Sequence, residues 1–137
     1  CAVLSDRTVS CWGENSQGQL GDGTTTRKLT PTVVPGLSDV AAVMAGGQHT
    51  CALLVDGSVR CWGYNNNGQL GDGTTTRKLT PTAVALADVV ELVSQGNVNR
   101  TCARLADHSL WCWGNNGSGA LGDGTTTNRN TPTAVVW

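Results

Sequence analysis

The sequence has no phenylalanine, one tyrosine and one methionine, and aromatic residues make up only 4% of its 137 residues. Charged residues account for only 14%, and nine basic against ten acidic residues leave a formal net charge of −1. A net charge this close to zero excludes a protein that binds nucleic acid through a strongly positive electrostatic potential. No run reaches the roughly 18 apolar residues that a membrane-spanning helix requires. We therefore expect neither nucleic-acid binding nor membrane insertion.

Glycine, by contrast, is abundant, with 18 residues. Abundant glycine together with little charge is typical of a turn-rich β protein and not of a helical bundle. The length suits one ordinary domain. Because the chain starts at Cys1, with neither a methionine nor a signal-peptide pattern, we expect a processed chain or a fragment of a longer one.

One segment of the sequence occurs three times. GQLGDGTTTRKLTPT stands at 18–32 and again at 68–82, and 119–133 reads GALGDGTTTNRNTPT. The period is 50 residues and then 51, which divides the chain into unit one (1–50), unit two (51–101) and a partial unit three (102–137). Self-similarity at this period indicates a repeat architecture.

Each unit is predicted to contain short strands. Residues 51–55 and 58–62 are β-prone runs joined at Asp56-Gly57, which is a strong hairpin signal. Pro31 and Pro81 stand just before two short edge segments, where proline is tolerated. The further strand candidates are 40–44, 89–93, 32–34 and 82–84. Four short strands in about 50 residues are typical of one propeller blade.

Six cysteines form three pairs ten residues apart, Cys1 and Cys11, Cys51 and Cys61, and Cys102 and Cys112. The repeated spacing favours disulfides within each unit, although six buried thiols are an alternative. Opposed residues of a hairpin share one face, so a disulfide between Cys51 and Cys61 requires an odd number of connecting residues and predicts a bulged three-residue turn. Disulfides would also indicate a secreted or cell-surface protein.

Residues 49–74, HTCALLVDGSVRCWGYNNNGQLGDGT, resemble the repeat of the regulator of chromosome condensation (RCC1) family, and the resemblance extends over essentially the whole chain. The cysteines are more similar to a secreted bacterial branch of that family than to the nuclear one. The resemblance implies an all-β fold, a β-propeller segment built from tandem four-stranded blades. About seven such blades usually close a ring in this family, so we expect this chain to be open rather than closed. Familiar members bind other proteins through loops on the ring faces.

No group of residues in the sequence suggests a catalytic, cofactor-binding or metal-binding site. His49 and His108 do not occupy equivalent repeat positions, so we expect structural or solvated roles. One aspartate recurs in each LGDGTTT loop (Asp22, Asp72 and Asp123), and a single carboxylate is too few for a calcium cage, so we expect it to cap its own turn. No nucleophile–base constellation stands out. We predict no catalytic, cofactor-binding or metal-binding residues.

The tryptophans divide into two groups. Trp12, Trp62 and Trp113 recur at one position of the repeat, which predicts packing between blades. Trp111 and Trp137 have no repeat partner, and they are our aromatic candidates for an interface.

Basic residues follow the glycine-rich loop in every unit. They are Arg27, Lys28, Arg77, Lys78 and Arg129. Stacked blades would bring them into one arc on a propeller face. This arc is either a solvated rim or a contact for an acidic partner, so these residues are further interface candidates.

Together these features favour a non-enzymatic scaffold, secreted or at the cell surface, whose partner is another protein or further copies of itself. One alternative is a self-assembling filament or adhesive appendage whose subunits pair through open ends. Another is an inhibitor- or exchange-factor-like propeller that docks one protein by its face. Since each repeat buries its apolar face against a neighbour, we expect both ends to be covered, with Trp137 close to residues 2–4 of a neighbouring unit one.

Overall fold

The computed structural model describes residues 1–93 and 98–137. In these ranges the chain is built from β-strands without any helix, and consequently has no helix long and apolar enough to cross a membrane. The strands are β1 (Ala2–Val3), β2 (Val9–Gly13), β3 (Lys28–Val33), β4 (Val40–Ala45), β5 (His49–Leu54), β6 (Val59–Gly63), β7 (Lys78–Val84), β8 (Val89–Val93), β9 (Arg100–Leu105), β10 (Leu110–Gly114) and β11 (Arg129–Ala134).

The strands form three antiparallel meanders. Their orders are β1-β2-β3, β4-β5-β6-β7 and β8-β9-β10-β11. The sheets are offset from the sequence units, because β4 and β8 come from the last residues of units one and two and pair with the first strand of the following unit. The predicted all-β architecture with antiparallel blades is confirmed; two of the described sheets have four strands and the first has three, and they do not close into a ring.

The hairpin of unit two has the bulged turn that the cysteine spacing predicts. Cys51 lies directly opposite Cys61, and the Leu54 N–H donates to the Ser58 carbonyl at 2.9 Å, which leaves a three-residue turn. Gly57 closes the turn with a φ of 80°. The equivalent residues in units one and three are Arg7 (φ 63°) and His108 (φ 70°). These two turns therefore hold a residue with a side chain in the left-handed region that glycine favours.

The edge strands β3 and β7 are longer than predicted. Instead of beginning after the prolines, β3 and β7 begin at Lys28 and Lys78 and run through Pro31 and Pro81. The register of β7 against β6 shifts between Cys61 and Gly63. Edge strands and bulges are the places where a strand tolerates proline, since no ladder donor is needed there.

The hydrophobic core lies between successive sheets. One cluster, shared by units one and two, consists of Val9, Cys11, Leu20, Val34, Leu37, Val40, Ala52 and Trp62. The second, shared by units two and three, consists of Cys51, Leu53, Val59, Cys61, Leu70, Val84, Val89, Ala103 and Trp113. Each unit thus completes the core of the unit before it, as expected for a stacked repeat.

The cysteines pair as the repeat spacing predicts. The structure places Cys1 with Cys11, Cys51 with Cys61, and Cys102 with Cys112 at disulfide distance. Each pair joins the two strands of one hairpin, so every unit carries its own cross-link between neighbouring strands.

Candidate protein-interaction surface

A buried asparagine fixes the glycine-rich loop of each unit. In unit two, Asn65 is fully buried, and its Oδ1 accepts a hydrogen bond from the Leu70 N–H at 3.0 Å. Its Nδ2 donates to the carbonyl oxygens of Thr74 and Thr76 at 3.1 and 3.0 Å. The residues that make the equivalent contacts in units one and three are Asn15 and Asn116. The loop keeps one shape in all three units because its own unit supplies the bonds.

The aspartate of the same loop caps its turn, as the sequence suggests. Asp72 Oδ1 accepts hydrogen bonds from the N–H and the hydroxyl of Thr74 at 3.0 and 2.8 Å, and Oδ2 lies 3.5 Å from Lys78 Nζ. Burial opposes ionisation of Asp72, but the hydrogen bonds from Thr74 and Asn65 and the charge of Lys78 outweigh it and lower the pKa of the carboxyl. Across residues 1–93 and 98–137, no group of three His, Cys, Asp or Glu side chains could hold a metal ion.

Four of the five basic residues in the predicted arc pair with carboxylates of their own unit. The pairs are Lys28 with Asp22 at 3.3 Å, Lys78 with Asp72 at 3.5 Å, Arg129 with Asp123 at 2.6 Å and Arg27 with Glu14 at 2.9 Å. The hydrogen bond from Arg27 lowers the pKa of Glu14 to about 2. Unit two has Tyr64 in place of Glu14, and Arg77 instead donates to the Ser16 carbonyl at 3.2 Å. The positive charges of these basic residues are therefore largely neutralised by carboxylates of the same units.

Successive units meet where a tryptophan covers a glycine. A Cβ atom at Gly21 would lie 2.6 Å from Nε1 of Trp62, so only glycine leaves room for the indole. The same Nε1 donates to the Gln19 carbonyl at 3.0 Å, and the Thr50 hydroxyl donates to that carbonyl at 2.8 Å. Trp113 covers Gly71 at the same distance, but its Nε1 has no hydrogen-bond partner among the described residues. These contacts place two of the recurring tryptophans between blades.

The junction also includes an edge strand of the following unit. Leu79 packs against Gly18 of unit one, and its carbonyl accepts a hydrogen bond from the Gly23 N–H at 3.0 Å. At the next junction Asn130 lies against Gly68, and its carbonyl accepts from the Gly73 N–H at 2.8 Å.

His49 is part of the contact between the second and third sheets, because it lies on β5 and its partner Thr101 lies on β9. It is fully buried, and its Nε2 lies 2.9 Å from the Thr101 hydroxyl, which itself donates to the Gln69 carbonyl at 2.9 Å. Because that hydroxyl proton is already used, Nε2 carries the hydrogen and donates it to Thr101. Nδ1 has no hydrogen-bond partner among the described residues. Burial lowers the pKa of His49 from 6.5 to about 4, so the imidazole is neutral at pH 7.

The other tryptophans lie in different environments. Trp12 is 45% exposed although it shares its repeat position with two fully buried tryptophans. Trp111 is half-buried on β10, in the interior of its sheet, and its Nε1 donates to the Ser109 hydroxyl at 3.1 Å. Trp137 is 93% exposed. Among the described residues, no hydrogen bond or ion pair joins Trp111 or Trp137 to the basic residues of the arc.

Sequence comparisons agree with this geometry. A family profile described as "Regulator of chromosome condensation (RCC1) repeat" matches residues 8–53, 56–97 and 107–137. This chain belongs to the RCC1 repeat family. A second RCC1 repeat profile matches residues 40–69 and 90–120. The comparison with curated proteins gave no match.

Solved structures similar to this RCC1 repeat chain include human WBSCR16, with 24% identity and a TM-score of 0.84 over 99% of this chain and 37% of that one. Yeast RCC1 (Prp20) bound to Kap60 gives 22% identity and a TM-score of 0.77 over 92% and 33%. Prp20p from Saccharomyces cerevisiae, studied with its binding to Gsp1p and histones, gives 24% and 0.75 over 94% and 34%. These likenesses show the fold, and the chain spans 33–37% of those chains.

Sequence reasoning missed the asparagine of the loop and the role of His49. The asparagine could have been found from its constant position in the repeat. Asn15, Asn65 and Asn116 each stand five residues before the leucine of the LGDG motif. His49 gave no such signal, since its partner Thr101 lies in the following unit and becomes a neighbour only through the fold.

Proposed function

We propose that this RCC1 repeat segment is a non-enzymatic scaffold, outside the cell or at its surface, that works by binding other proteins. The observation that carries the proposal is the cysteine pair at disulfide distance in each of the three hairpins. Disulfides persist in oxidising compartments and are rare in the cytosol. A cross-link repeated in every unit suits a fold that must remain assembled outside the cell.

The charged groups of the loops support a binding role over a catalytic one. The loop aspartates have partners on both oxygens, and burial keeps His49 neutral between two units. Structurally similar yeast RCC1 is seen in complex with the protein Kap60, and a related study concerns its binding to Gsp1p and histones. We infer that proteins are also the partners of this chain.

The surface proposed for this binding is the loop rim, residues 25–27 and 75–77. These residues are exposed, and they carry Thr-Thr-Arg in units one and two. Arg27 is paired with Glu14, and Arg77 donates to a backbone carbonyl. The loop rim therefore offers hydroxyl donors and a low charge density. It fits a polar protein surface better than a strongly acidic one.

The compartment is tested on native material. Cells that make the protein are fractionated, thiols are blocked at once with an alkylating agent, and the protein is mapped by non-reducing peptide mass spectrometry. We expect it in the medium or exposed to added protease at the cell surface, with three disulfides inside single units. Recovery from the cytosol with alkylated cysteines would contradict the proposal.

The rim is tested with a matched pair of charge reversals. Proteins of the extracellular fraction are cross-linked to the chain, and the recovered partner is quantified for Arg77→Glu on the rim and Arg60→Glu on β6. Both side chains are exposed, so the change in net charge is the same. We expect recovery to fall at least about tenfold for Arg77→Glu alone. Equal recovery with both variants would exclude the rim as the contact surface.

A further inference from the structure

Units one and two differ mainly in one short segment of the surface. Residues 11–34 and 61–84 differ at four positions, and three of these positions lie within 14–17 and 64–67. Unit three carries yet another residue at each of the three positions. We call residues 14–17, 64–67 and 115–118 the variable loops, which read ENSQ, YNNN and NNGS. Only the second residue, the asparagine that holds the glycine-rich loop, is common to all three.

Solvent exposure by itself does not explain why the variable loops differ. Thr25, Thr26 and Thr30 are also exposed, yet units one and two carry the same residues at these positions. Unit two has a neighbouring unit on each side, and there Asn66 is exposed and Tyr64 is half-buried. The accessibility of this loop is therefore a property of the repeat itself, and its differences are confined to a small part of the exposed surface.

The variable loops are joined across both junctions. Asn67 Oδ1 accepts hydrogen bonds from Nδ2 of Asn115 and Nδ2 of Asn128 in unit three, at 3.3 and 3.1 Å. Arg77 donates to the Ser16 carbonyl of unit one at 3.2 Å. Because Arg77 also belongs to the loop rim, the variable loops and the rim form one continuous polar surface over the three units.

The backbone beneath the variable side chains is the same in every unit. The glycine after each variable loop donates its N–H at 2.9 Å to the carbonyl of the shared asparagine, in the pairs Gly18 with Asn15, Gly68 with Asn65 and Gly119 with Asn116. The side chains at the other three positions can therefore differ without changing the shape of the loop. A surface held in one shape loses little conformational entropy when a partner binds it.

We propose that the variable loops determine which protein this chain binds, with Tyr64 as the central contact. The inference rests on the binding role proposed above and adds the residues that select the partner. Tyr64 is the single tyrosine of the sequence. Tyrosine, asparagine, serine and glycine dominate antibody binding loops, because tyrosine supplies contact area at a low entropic cost and the small residues supply adaptable hydrogen bonds. Since Glu14 is paired with Arg27 at 2.9 Å, the partner surface that fits is polar and without strong charge.

The test exchanges the variable loops of units one and two. The composition and the net charge stay the same, and each loop receives residues that the other loop holds on the same backbone. After Tyr64→Glu, Arg77 would be the counterpart that Arg27 is for Glu14. Proteins of the extracellular fraction are cross-linked to the disulfide-intact chain, and the recovered partner is quantified. We expect recovery to fall at least about tenfold. The substitutions are Glu14→Tyr, Ser16→Asn, Gln17→Asn, Tyr64→Glu, Asn66→Ser and Asn67→Gln.

The matched control exchanges the one remaining difference between residues 11–34 and 61–84. It combines Val33→Ala with Ala83→Val, and both side chains are exposed on the edge strands β3 and β7. This control should recover the partner as the unmodified chain does, and circular dichroism should show both exchange variants folded. Tyr64→Asn, which introduces the residue that unit three has at this position, should cause most of the loss by itself.

The outcomes separate this inference from the binding role on which it rests. Equal recovery with both exchanges would overturn the inference, while a loss with Arg77→Glu in the same experiment would still show binding through the rim. Equal losses with both exchanges would overturn it too, since position 33 lies outside the variable loops. Full recovery with Tyr64→Asn would overturn the role given to Tyr64. An unmodified chain that recovers no protein would overturn the binding role together with the inference.

Discussion

Replacing His49 by glutamine should remove a specific loss of stability at mildly acidic pH. The imidazole is fully buried between the second and third sheets and donates one hydrogen bond to Thr101, while Nδ1 has no partner among the described residues. Protonation would place a charge in the core and a hydrogen on Nδ1 without an acceptor. Burial accordingly lowers the pKa of His49 from 6.5 to about 4.

The magnitude follows from proton linkage. Since the pKa of His49 is lower in the folded chain, the unfolded chain takes up the proton first as the pH falls. The contribution to stability is complete above pH 6.5 and is lost as the pH falls towards the folded pKa of about 4. With about 1.4 kcal/mol for each pKa unit, the full loss is about 3 kcal/mol, and about 2 kcal/mol is gone by about pH 5. The lowered pKa values of the loop aspartates add further losses only at still lower pH.

The assay is urea unfolding between about pH 7 and 5 with the disulfides intact. His49→Gln should start less stable at pH 7, because a packed side chain is changed, but its stability should depend less on pH than that of the unmodified chain. His108→Asn is the control, since His108 is exposed in a turn at φ 70° that asparagine tolerates. Parallel pH profiles for the unmodified chain and His49→Gln would refute the argument, as would an NMR titration of His49 near pH 6.5.

Three further predictions follow from the junctions and the loops. Trp62→Ala should lower the free energy of unfolding by about 3–5 kcal/mol because it leaves a cavity between sheets. Trp12→Ala should lower it by about 1 kcal/mol or less, and urea unfolding of both variants measures the difference. Asn65→Ala should cost about 2–4 kcal/mol in the same assay, since several loop groups lose a buried partner, while the exposed Asn66→Ala should change stability by less than about 0.5 kcal/mol. Millimolar calcium should leave the melting temperature unchanged because both oxygens of Asp72 are occupied within the loop; a rise that Asp72→Ala abolishes would show otherwise.

The local architecture could be predicted from the sequence because its signals are local. The spacing of Cys51 and Cys61 fixes which residues oppose each other, and that parity requires the three-residue turn found at Gly57. The period of the repeat and the RCC1 motifs likewise predict four-stranded blades. The boundaries of the sheets could not be predicted from the repeat units, since β4 at the end of one unit pairs with β5 at the beginning of the next.

The electrostatics of the candidate surface depended on the fold. Five basic residues at repeated positions suggested a charged arc, yet four of them lie beside carboxylates of the same unit. Asp22 stands six residues before Lys28, and nothing in that spacing reveals that a loop held by Asn15 turns the two side chains towards each other. Charge counted along a sequence therefore overstates the charge that a partner meets.

Units one and two show most clearly what the sequence determines and what the tertiary structure determines, because residues 18–32 and 68–82 are identical. The sequence by itself determined the shape of the loop, since Asn15 and Asn65 make the same hydrogen bonds within their own units. The tertiary structure alone decided which neighbouring residues these identical segments contact. Leu29 is 86% exposed, while its counterpart in unit two packs against the loop of unit one. Burial in a stacked repeat is a property of the neighbouring unit, and no residue encodes its neighbour's presence.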